Sequence, residues 1–527
     1  MQFNEYTMGN NKKPVVNGLK EDANHFIEKI EDKIKNSINN LSNELDNHKV
    51  SYKKDALSNQ LSHLQRKVDS IFHPNLVAME LEDIQSIILR RRPAPYYGTL
   101  VALKVNNANT GRQLLRSVLG GVSHSLTWHN DMDASLNIVM TFEGLKALGV
   151  PQDSLDSFPD NFKAGMESAA KKLGDVGIND PKNWHAPFGK KGEIHICAAI
   201  IADNEDKWQT KIQQLRQDIS PYVNEIHPEE GDIEILIDHQ FGSDDSTKNV
   251  FGFRDGISNP EVAGSGISNN PEDEKPIASG EFVMGYKSED GTVRPMPQPE
   301  VLGKNGSFMV LRKYQCNVAD FNRYCIDHTE NQQEADKLAA KMFGRWRSGA
   351  PVTLSPDYDD ETLGADDSRN NKFDYTGDVT GKGCPFGAHA RRMNPRNSKD
   401  FILSDIRLHR IIRRSVSFGN IVAPDITVDD GKERGLYFIG INAQAMNTLE
   451  FLQSQWINDG NFMNLGEERD PLLGVHNGDN EAESDTFTEP SDPIRKRHKG
   501  ILQFNTLQGG EYLFIPSISA LKWISEL

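Results

Sequence analysis

An aspartate in a glycine-flanked segment is the first candidate for chemistry. Asp255 lies in GFRDGISNP, residues 252–260. Asp-Gly and Asn-Pro pairs favour tight turns, so a plain turn would account for this segment by itself. Glycine also permits backbone conformations that can bring a carboxylate into a pocket, where it could accept and donate protons. The segment therefore predicts either a turn or an acid–base residue at Asp255.

A histidine among arginines is the second candidate. His389 lies in GCPFGAHARRMNPR, residues 383–396, together with Arg391, Arg392 and Arg396. A lone histidine is most often structural, but neutral imidazole is also a standard axial ligand to haem iron. The cationic surroundings suit a doubly anionic ligand group such as the haem propionates. A phosphate would suit the same arginines, so both interpretations stay open at this point.

Two adjacent arginines are the third candidate. Arg413 and Arg414 lie in LHRIIRRSVSFG, residues 408–419, which is typical of a strand. Successive side chains of a strand point to opposite faces. We therefore expect one arginine to lie in a site and the other to meet solvent. A pair of solvated arginines is the alternative.

Together, and in this order, the three segments resemble the dye-decolorizing peroxidase family. The resemblance rests on GFRDG, CPFGAHARRMNPR and HRIIRRSVSFG, and it extends to LEDIQ, WIND and DPLLG. It runs from about residue 78 to the C-terminus and does not include residues 1–75. The long loops resemble the larger, elaborated branch of the family.

The resemblance implies an α+β fold of duplicated ferredoxin-like units with antiparallel sheets and surrounding helices. It implies haem b, one per chain, in the second unit. His389 would be the axial ligand of the iron, Asp255 the distal acid–base residue and Arg413 the distal arginine. The positions that match residues lining the haem are Gly256, Ile257, Ser258, Asn394, Pro395, Arg396 and Arg413.

The resemblance also assigns residues around these. Asp470 matches a late aspartate expected near the proximal imidazole, where a carboxylate accepting the imidazole N–H makes the ligand more electron-donating. Tyr437 and Trp456 are candidates for surface radical sites, with ordinary core packing as the alternative. Ser415 departs from the compact members of the family, which often carry asparagine two residues after the distal arginine.

The implied activity is a peroxidase that uses hydrogen peroxide to oxidise dyes, phenolics and other aromatic reductants. Asp255 could remove a proton from one peroxide oxygen and return a proton to the leaving oxygen. Arg413 would offer fixed positive charge as the O–O bond breaks. A haem- or iron-handling protein and an assembly component are the alternatives.

The elements that must position these residues follow from hydrophobic patterning. Strands are predicted over 97–105, 135–142 and 193–203, and again over 307–314 and 435–443, each followed by a helical segment. Strands and helices interleaved twice indicate duplicated βαβ-type units. We expect a first ferredoxin-like domain over residues 76–245 and a second, haem-binding one over residues 246–527.

Residues 1–75 are predicted to form a helical extension. Apolar residues recur at three- and four-residue steps from Ile27 to Leu45 and from Leu57 to Ile71, which indicates two amphipathic helices. They could pack on the body of the same chain. Alternatively, they could form a coiled coil and assemble a homo-oligomer.

Composition excludes several classes of function. A net charge of −17 argues against nucleic acid as a partner, because phosphates require a basic face. The four cysteines lack CxxC spacing, which indicates reduced thiols rather than a zinc site. No apolar run approaches the roughly 20 residues of a membrane span. The N-terminus has no hydrophobic segment typical of a secretory signal, so we expect a cytoplasmic protein.

Overall fold

The computed structural model describes residues 79–126, 134–223, 231–243, 247–267, 275–397 and 405–527. The chain divides into two units, of which the larger comprises Glu80–Val262 and Ile267–Leu527. The smaller comprises Met1–Met79 and Ala263–Gly266. The two predicted N-terminal helices lie outside the described residues.

The larger unit contains one extended antiparallel sheet and a separate hairpin. The strands are β1 (Tyr96–Val105), β2 (Ser135–Met140), β3 (Ile196–Ala202), β4 (Ile233–Ser243), β5 (Ser307–Cys316), β6 (Ile412–Arg413), β7 (Val416–Phe418), β8 (Gly435–Asn442), β9 (Thr486–Glu489), β10 (Lys496–Lys499) and β11 (Asn505–Ile515). Strands β9 and β10 pair with each other, and the other nine form the sheet.

Strand order shows the duplication directly. The sheet runs β4-β1-β3-β2-β11-β5-β8-β6, and β7 also pairs with β8. The first four strands in space have the order fourth-first-third-second, which is that of a ferredoxin-like unit. The second set repeats this order, with β11 as its fourth strand and β5 as its first. The two sets join where β11 meets β2, at the pair Phe514 and Met140. The predicted fold class is therefore confirmed.

Helices surround the sheet. They are α1 (Ser86–Leu89), α2 (Ala108–Leu119), α3 (Phe142–Ala147), α4 (Gln152–Asp156), α5 (Asp160–Ala164), α6 (Ala170–Leu173), α7 (Glu205–Ile219), α8 (Glu300–Gly303), α9 (Val318–Asp327), α10 (Gln332–Phe343), α11 (Glu361–Ala365), α12 (His389–Met393), α13 (Ala445–Phe451) and α14 (Ile518–Glu526). A π-helical turn, Leu452–Ile457, continues α13.

Local sequence explains where the two longest helices of the first unit begin. The Asn107 side chain accepts hydrogen bonds from the first turn of α2, and Asn204 accepts one from Lys207 N–H in α7. Asparagine is among the preferred residues at this position because its side chain satisfies backbone N–H groups that lack a helical partner. Both helices bury an apolar face, including Leu115 in α2 and Trp208 in α7.

Strands β4 and β11 of the sheet, and the hairpin of β9 and β10, were not predicted from the sequence pattern. Strand β4 alternates buried and exposed positions only partly, and β11 contains Gly509 and Gly510 beside a break in its register with β5. Glycine weakens a strand pattern and often marks a bulge. Within the described ranges, no helix is both long and apolar enough to cross a membrane.

Candidate active site

The three candidate segments converge on one cavity of about 260 Å³ in the second ferredoxin-like unit, which we call the central cavity. Asp255 and His389 both line it, and so does Arg413. These residues come from a loop before β5, from the start of α12 and from β6. The structure thus brings together side chains that are more than 130 positions apart in the case of Asp255 and His389.

His389 is held by a buried carboxylate. Its Nδ1 lies 2.8 Å from Oδ2 of Asp470, a residue that is fully buried. The other oxygen, Oδ1, accepts the N–H groups of Leu472 and Leu473 at 2.9 and 3.0 Å. A carboxylate at Nδ1 fixes the ring orientation and leaves Nε2 as the nitrogen that can bind a metal.

The charge state of Asp470 follows from these contacts. Burial by itself raises the pKa of this carboxyl, but the nearby His389 and Arg392 and the N–H of Leu473 outweigh burial. The pKa of Asp470 therefore lies below its usual value. An ionised carboxylate is the form that accepts the imidazole N–H and makes the imidazole more electron-donating.

Asp255 is placed by the glycine that follows it. Gly256 has a φ of 81°, a conformation that side-chain-bearing residues rarely adopt, and its N–H donates to Oδ1 of Asp255 at 2.7 Å. The other oxygen, Oδ2, accepts a hydrogen bond from Arg92 at 2.7 Å. Burial raises the pKa of Asp255, but Arg92, Arg413 and the Gly256 N–H together hold the pKa below its usual value.

Arg413 is fixed by the same loop. The backbone N–H of Arg413 donates to Oδ1 of Asn259 at 2.8 Å, and its guanidinium donates to the carbonyl oxygen of Ile257. Its positive charge lowers the pKa of Asp255. The cavity thus contains a carboxylate that stays ionised in mild acid and an arginine that cannot lose its charge.

The residues present fit a haem. Apolar side chains such as Ile257, Leu449 and Leu452 form much of the wall. Arg345 and Arg396 also line the cavity, and both donate to Oδ1 of Asn371. Burial, with the charge of Arg396, lowers the pKa of Arg345 to about 9, and within the described residues Arg345 bonds to carbonyl and amide oxygens but to no carboxylate. A half-buried pair of cations of this kind suits the anionic propionates of a haem.

Most of the predicted lining residues do line the central cavity. These are Gly256, Ile257, Ser258, Asn394, Arg396 and Arg413. Pro395 does not, although it is buried. Its neighbours Asn394 and Arg396 both line the cavity.

Two of the three arginines beside His389 serve the fold instead. Arg391 is 1% exposed and donates to Asp378, and Arg392 is fully buried and donates to the carbonyl oxygens of Trp456 and Glu468. The expected cluster around His389 is therefore wrong in its membership. The arginines that line the cavity are Arg254, Arg345, Arg396, Arg410 and Arg413.

The expectation that one arginine of the Arg413–Arg414 pair meets solvent is also wrong. Arg414 is only 2% exposed, and it donates to the carbonyl oxygens of Ile87 and Ile88 at 3.1 and 3.2 Å. Strand β6 ends at Arg413, so the following residue is free to turn toward α1. Ser415 lines the cavity, and its hydroxyl accepts the N–H of Ile439 at 3.2 Å.

The two candidate radical sites are not at the surface. Tyr437 is 2% exposed, and its hydroxyl lies 3.0 Å from Nδ1 of His239. Trp456 is 3% exposed and packs against His409, with ring centroids 5.4 Å apart. Strand β8 places Tyr437 between β5 and β7, and the π-helical turn directs Trp456 into an apolar cluster. A bulky reductant cannot touch either ring.

Other lining residues escaped the sequence analysis. Arg92 contacts the carboxylate of Asp255 from the first ferredoxin-like unit, and Arg345, Arg410 and Tyr314 line the cavity. No local motif distinguishes them from structural residues. The π-helical turn, which contributes Leu452 and Ile457 to the wall, is a feature often found at functional sites and is equally invisible in a periodic pattern.

Comparison with known proteins agrees with this site. The family model for the DyP dimeric alpha+beta barrel domain matches residues 118–234, and that for the Dyp-type peroxidase C-terminal domain matches residues 246–467. The dye-decolorizing peroxidase msp1 of Mycetinis scorodonius is 30% identical over 477 residues, which cover 85% of this chain and 88% of that protein. A dye-decolorizing peroxidase of Exidia glandulosa is 30% identical over 84% of this chain and 87% of that protein.

Solved structures give the same result. A dye-decolorizing peroxidase determined in complex with 2,6-dimethoxyphenol has a TM-score of 0.71 and 28% identity, and covers 85% of this chain and all of that one. A decolorizing peroxidase from Auricularia auricula-judae has a TM-score of 0.70 and 26% identity over the same shares. The chain belongs to the dye-decolorizing peroxidase family, and it is a haem-dependent peroxidase.

Proposed function

We propose that the central cavity binds one haem b per chain, that His389 is its axial ligand, and that Asp255 and Arg413 act on hydrogen peroxide. The observation that carries this proposal is the pairing of His389 with a buried, ionised Asp470 on the wall of a cavity that Asp255 and Arg413 also line. Arg345 and Arg396 would hold the propionates. We also propose that residues 76–245 form the first domain and residues 246–527 the second, haem-binding domain.

The chemistry of the protein side chains follows from their charges. A haem bound in the cavity would supply the two electrons that cleave the O–O bond. Asp255, ionised because its pKa is lowered, takes the proton from one oxygen of hydrogen peroxide and delivers a proton to the other, which leaves as water. Arg413 donates hydrogen bonds to the developing negative charge on the leaving oxygen. The haem carries the redox chemistry and the protein moves the protons.

Dyes, phenolics and other aromatic molecules are the proposed reductants. A relative with the same fold was solved with 2,6-dimethoxyphenol bound, which supports a phenolic substrate class. We also propose that the protein assembles into a homo-oligomer through residues 1–75 and that it is located in the cytoplasm.

The first test is spectroscopic. Purified protein should show a Soret absorption band, and it should oxidise 2,6-dimethoxyphenol and an anthraquinone dye only when peroxide is supplied. His389→Ala should lose most of its haem, because the axial nitrogen is gone. His409→Ala is the matched control, since this histidine also lines the cavity but stacks on Phe451 at a centroid distance of 4.0 Å.

The outcomes separate the candidates. Full haem content in His389→Ala with loss in His409→Ala would transfer the ligand role to His409. Haem binding without peroxide-dependent oxidation would favour the alternative of a haem-handling protein.

A further inference from the structure

The carboxylate of Asp255, in the second ferredoxin-like unit, accepts a hydrogen bond from a residue of the first ferredoxin-like unit. Arg92, which precedes β1 in the first ferredoxin-like unit, donates from Nη2 to Oδ2 of Asp255 at 2.7 Å. The side chains are 10% and 29% exposed, respectively. Since Gly256 N–H occupies Oδ1, both carboxylate oxygens accept hydrogen bonds. Arg92 matches none of the segments on which the family resemblance rests.

Arg92 is held in this position by its own neighbours. Its guanidinium carbon lies 4.2 Å from the centre of the Tyr96 ring, a cation–π contact. The Tyr96 hydroxyl accepts the N–H of Ser417 at 2.7 Å, so the ring is anchored to β7. Proline at position 93 keeps the backbone of Arg92 out of the helical region. The guanidinium therefore meets Asp255 in a preformed orientation.

The segment before Arg92 is tied down as well. Arg414 donates to the carbonyl oxygens of Ile87 and Ile88 in α1, and it directly follows Arg413. Two consecutive residues thus bear on Asp255. Arg413 acts on it directly, and Arg414 holds the chain segment that leads to Arg92. Three features therefore support the contact between Arg92 and Asp255: the packing of Arg92 on Tyr96, the hydrogen bond from Ser417 to Tyr96, and the hydrogen bonds from Arg414 to α1.

A second cavity, of about 270 Å³, shows that Arg92 contacts Asp255 from outside the central cavity. Asp255, Arg254 and Arg413 line both this cavity and the central one, whereas Arg92 lines the second alone. The carboxylate thus stands between the two cavities. Arg92 contacts this carboxylate from the second cavity, which His389 does not line.

We propose that Arg92 is a positioning residue that keeps the Asp255 carboxylate ionised and in one orientation for proton transfer from peroxide. This inference rests on the proposed function. Arg92 itself need not touch peroxide, because it acts through Asp255.

The charges around Asp255 give the direction of the effect. Burial opposes the ionised form, and Arg92 and then Arg413 are the two cations that favour it. The Tyr96 hydroxyl faces the same pair and stays neutral, because burial raises its pKa. Arg254 lies near but is paired with Asp367 at 2.8 Å. Removing Arg92 would leave only Arg413 and the Gly256 N–H to offset burial, so the carboxylate would become protonated at higher pH.

The test measures cyanide binding to the haem-loaded protein as a function of pH, followed by the Soret shift at equilibrium. Hydrogen cyanide, like peroxide, must lose a proton when it binds, and Asp255 is the base that accepts it. The variants are Arg92→Met, which keeps an unbranched chain beside Tyr96 but carries no charge, and Arg92→Gln. Arg92→Lys restores the charge. Arg91→Met is the matched control, because it removes a charge from the same segment without a bond to Asp255.

Cyanide affinity should fall at low pH as Asp255 becomes protonated. We expect this fall to occur about one to three pH units higher in Arg92→Met and Arg92→Gln than in the wild type, because that is the usual effect of losing an adjacent opposite charge. Arg92→Lys should recover most of the shift, and Arg91→Met should match the wild type. The peroxide rate should show the same displacement. The absence of this shift in both neutral variants, with normal haem content, would overturn the proposal.

Failure of the proposed function gives a different result. In that case the wild type itself would show no Soret change with cyanide or no reaction with peroxide. If Arg92→Met were too unstable to bind haem, the Arg92→Gln and Arg92→Lys pair would decide the question, since they differ in charge and share a shorter side chain.

Discussion

A single carboxylate illustrates how this site balances opposing effects at the scale of the residue. Asp255 is partly buried, which disfavours its charge, yet Arg92 and Arg413 are close enough to reverse the effect. A base with a lowered pKa is weak but remains charged in acid. The site therefore combines a permanently cationic partner with a base that works below neutrality.

The corresponding prediction concerns Asp255→Asn. The amide keeps the shape of the side chain but cannot accept a proton, so the peroxide rate should fall by about 10²–10⁴-fold while haem stays bound. Because the pKa of Asp255 is lowered, the wild-type rate should hold as pH falls and decline only below the ordinary aspartate value of about 3.9. Stopped-flow measurement of the peroxide reaction against pH reports both effects.

Asp238→Asn is the control for this experiment, because Asp238 also pairs with an arginine, Arg216 at 2.6 Å, but lies on β4 away from the cavity. It should leave the rate and the pH profile unchanged. A rate change of less than about threefold in Asp255→Asn would be far below the usual contribution of general acid–base catalysis and would remove Asp255 from the mechanism.

At the scale of the element, a two-residue strand separates two arginines with different tasks. Strand β6 pairs Arg413 with Gly440 of β8 and leaves its guanidinium on the cavity wall. Arg414 lies beyond the strand and satisfies buried carbonyl oxygens of α1. The pairing register of β6 with β8 therefore decides which arginine belongs to the site.

Substitution by leucine should separate the two tasks. Arg413→Leu should slow the peroxide reaction and leave thermal stability nearly unchanged, because its charge serves the reacting oxygens. Arg414→Leu should instead lower the free energy of unfolding by about 1–3 kcal/mol, since the buried carbonyl oxygens of Ile87 and Ile88 lose their donors. Urea unfolding and stopped-flow rates of the two variants, taken together, provide the comparison. Equal losses of rate in both would leave the choice of Arg413 unsupported.

At the scale of the whole molecule, one sheet joins both ferredoxin-like units. The C-terminal strand β11 lies between β2 of the first unit and β5 of the second. The first unit supplies Arg92 to a site whose other residues come from the second. Duplication thus provides more than a repeated scaffold, because a side chain of one copy contacts the reactive group of the other.

Removal of residues 1–75 tests what lies outside this sheet. Every strand of the described residues, and every residue that lines the central cavity, follows residue 79, so residues 76–527 should retain the Soret band and peroxide-dependent oxidation. If the amphipathic helices predicted from Ile27 to Ile71 form a coiled coil, truncation should reduce the oligomeric state measured by light scattering.

The full-length chain carrying Ile34→Lys and Leu41→Lys is the matched control, since both residues lie on the predicted apolar stripe. It should reproduce the smaller assembly without loss of haem. Loss of the Soret band on truncation would show that residues 1–75 are needed by the cavity, contrary to this prediction.

The sequence predicted the candidate residues of the site, and it determined the class of fold. Asp255 with its glycines, the histidine segment and the distal arginine are local patterns, and strand–helix alternation repeated twice predicted the duplicated α+β body. Such features survive in sequence because each depends on a few neighbouring residues or on one period of hydrophobicity.

The tertiary structure decided which distant side chains meet. Asp470 reaches His389 across 81 positions, and Arg92 reaches Asp255 across 163. It also buried Arg414, which the alternation of strand side chains allowed to meet solvent, and Tyr437 and Trp456, for which core packing was the alternative to a surface radical site. Such outcomes depend on strand order, register and the packing of both units together, and a change of one residue in register turns a strand's side chains to the opposite face.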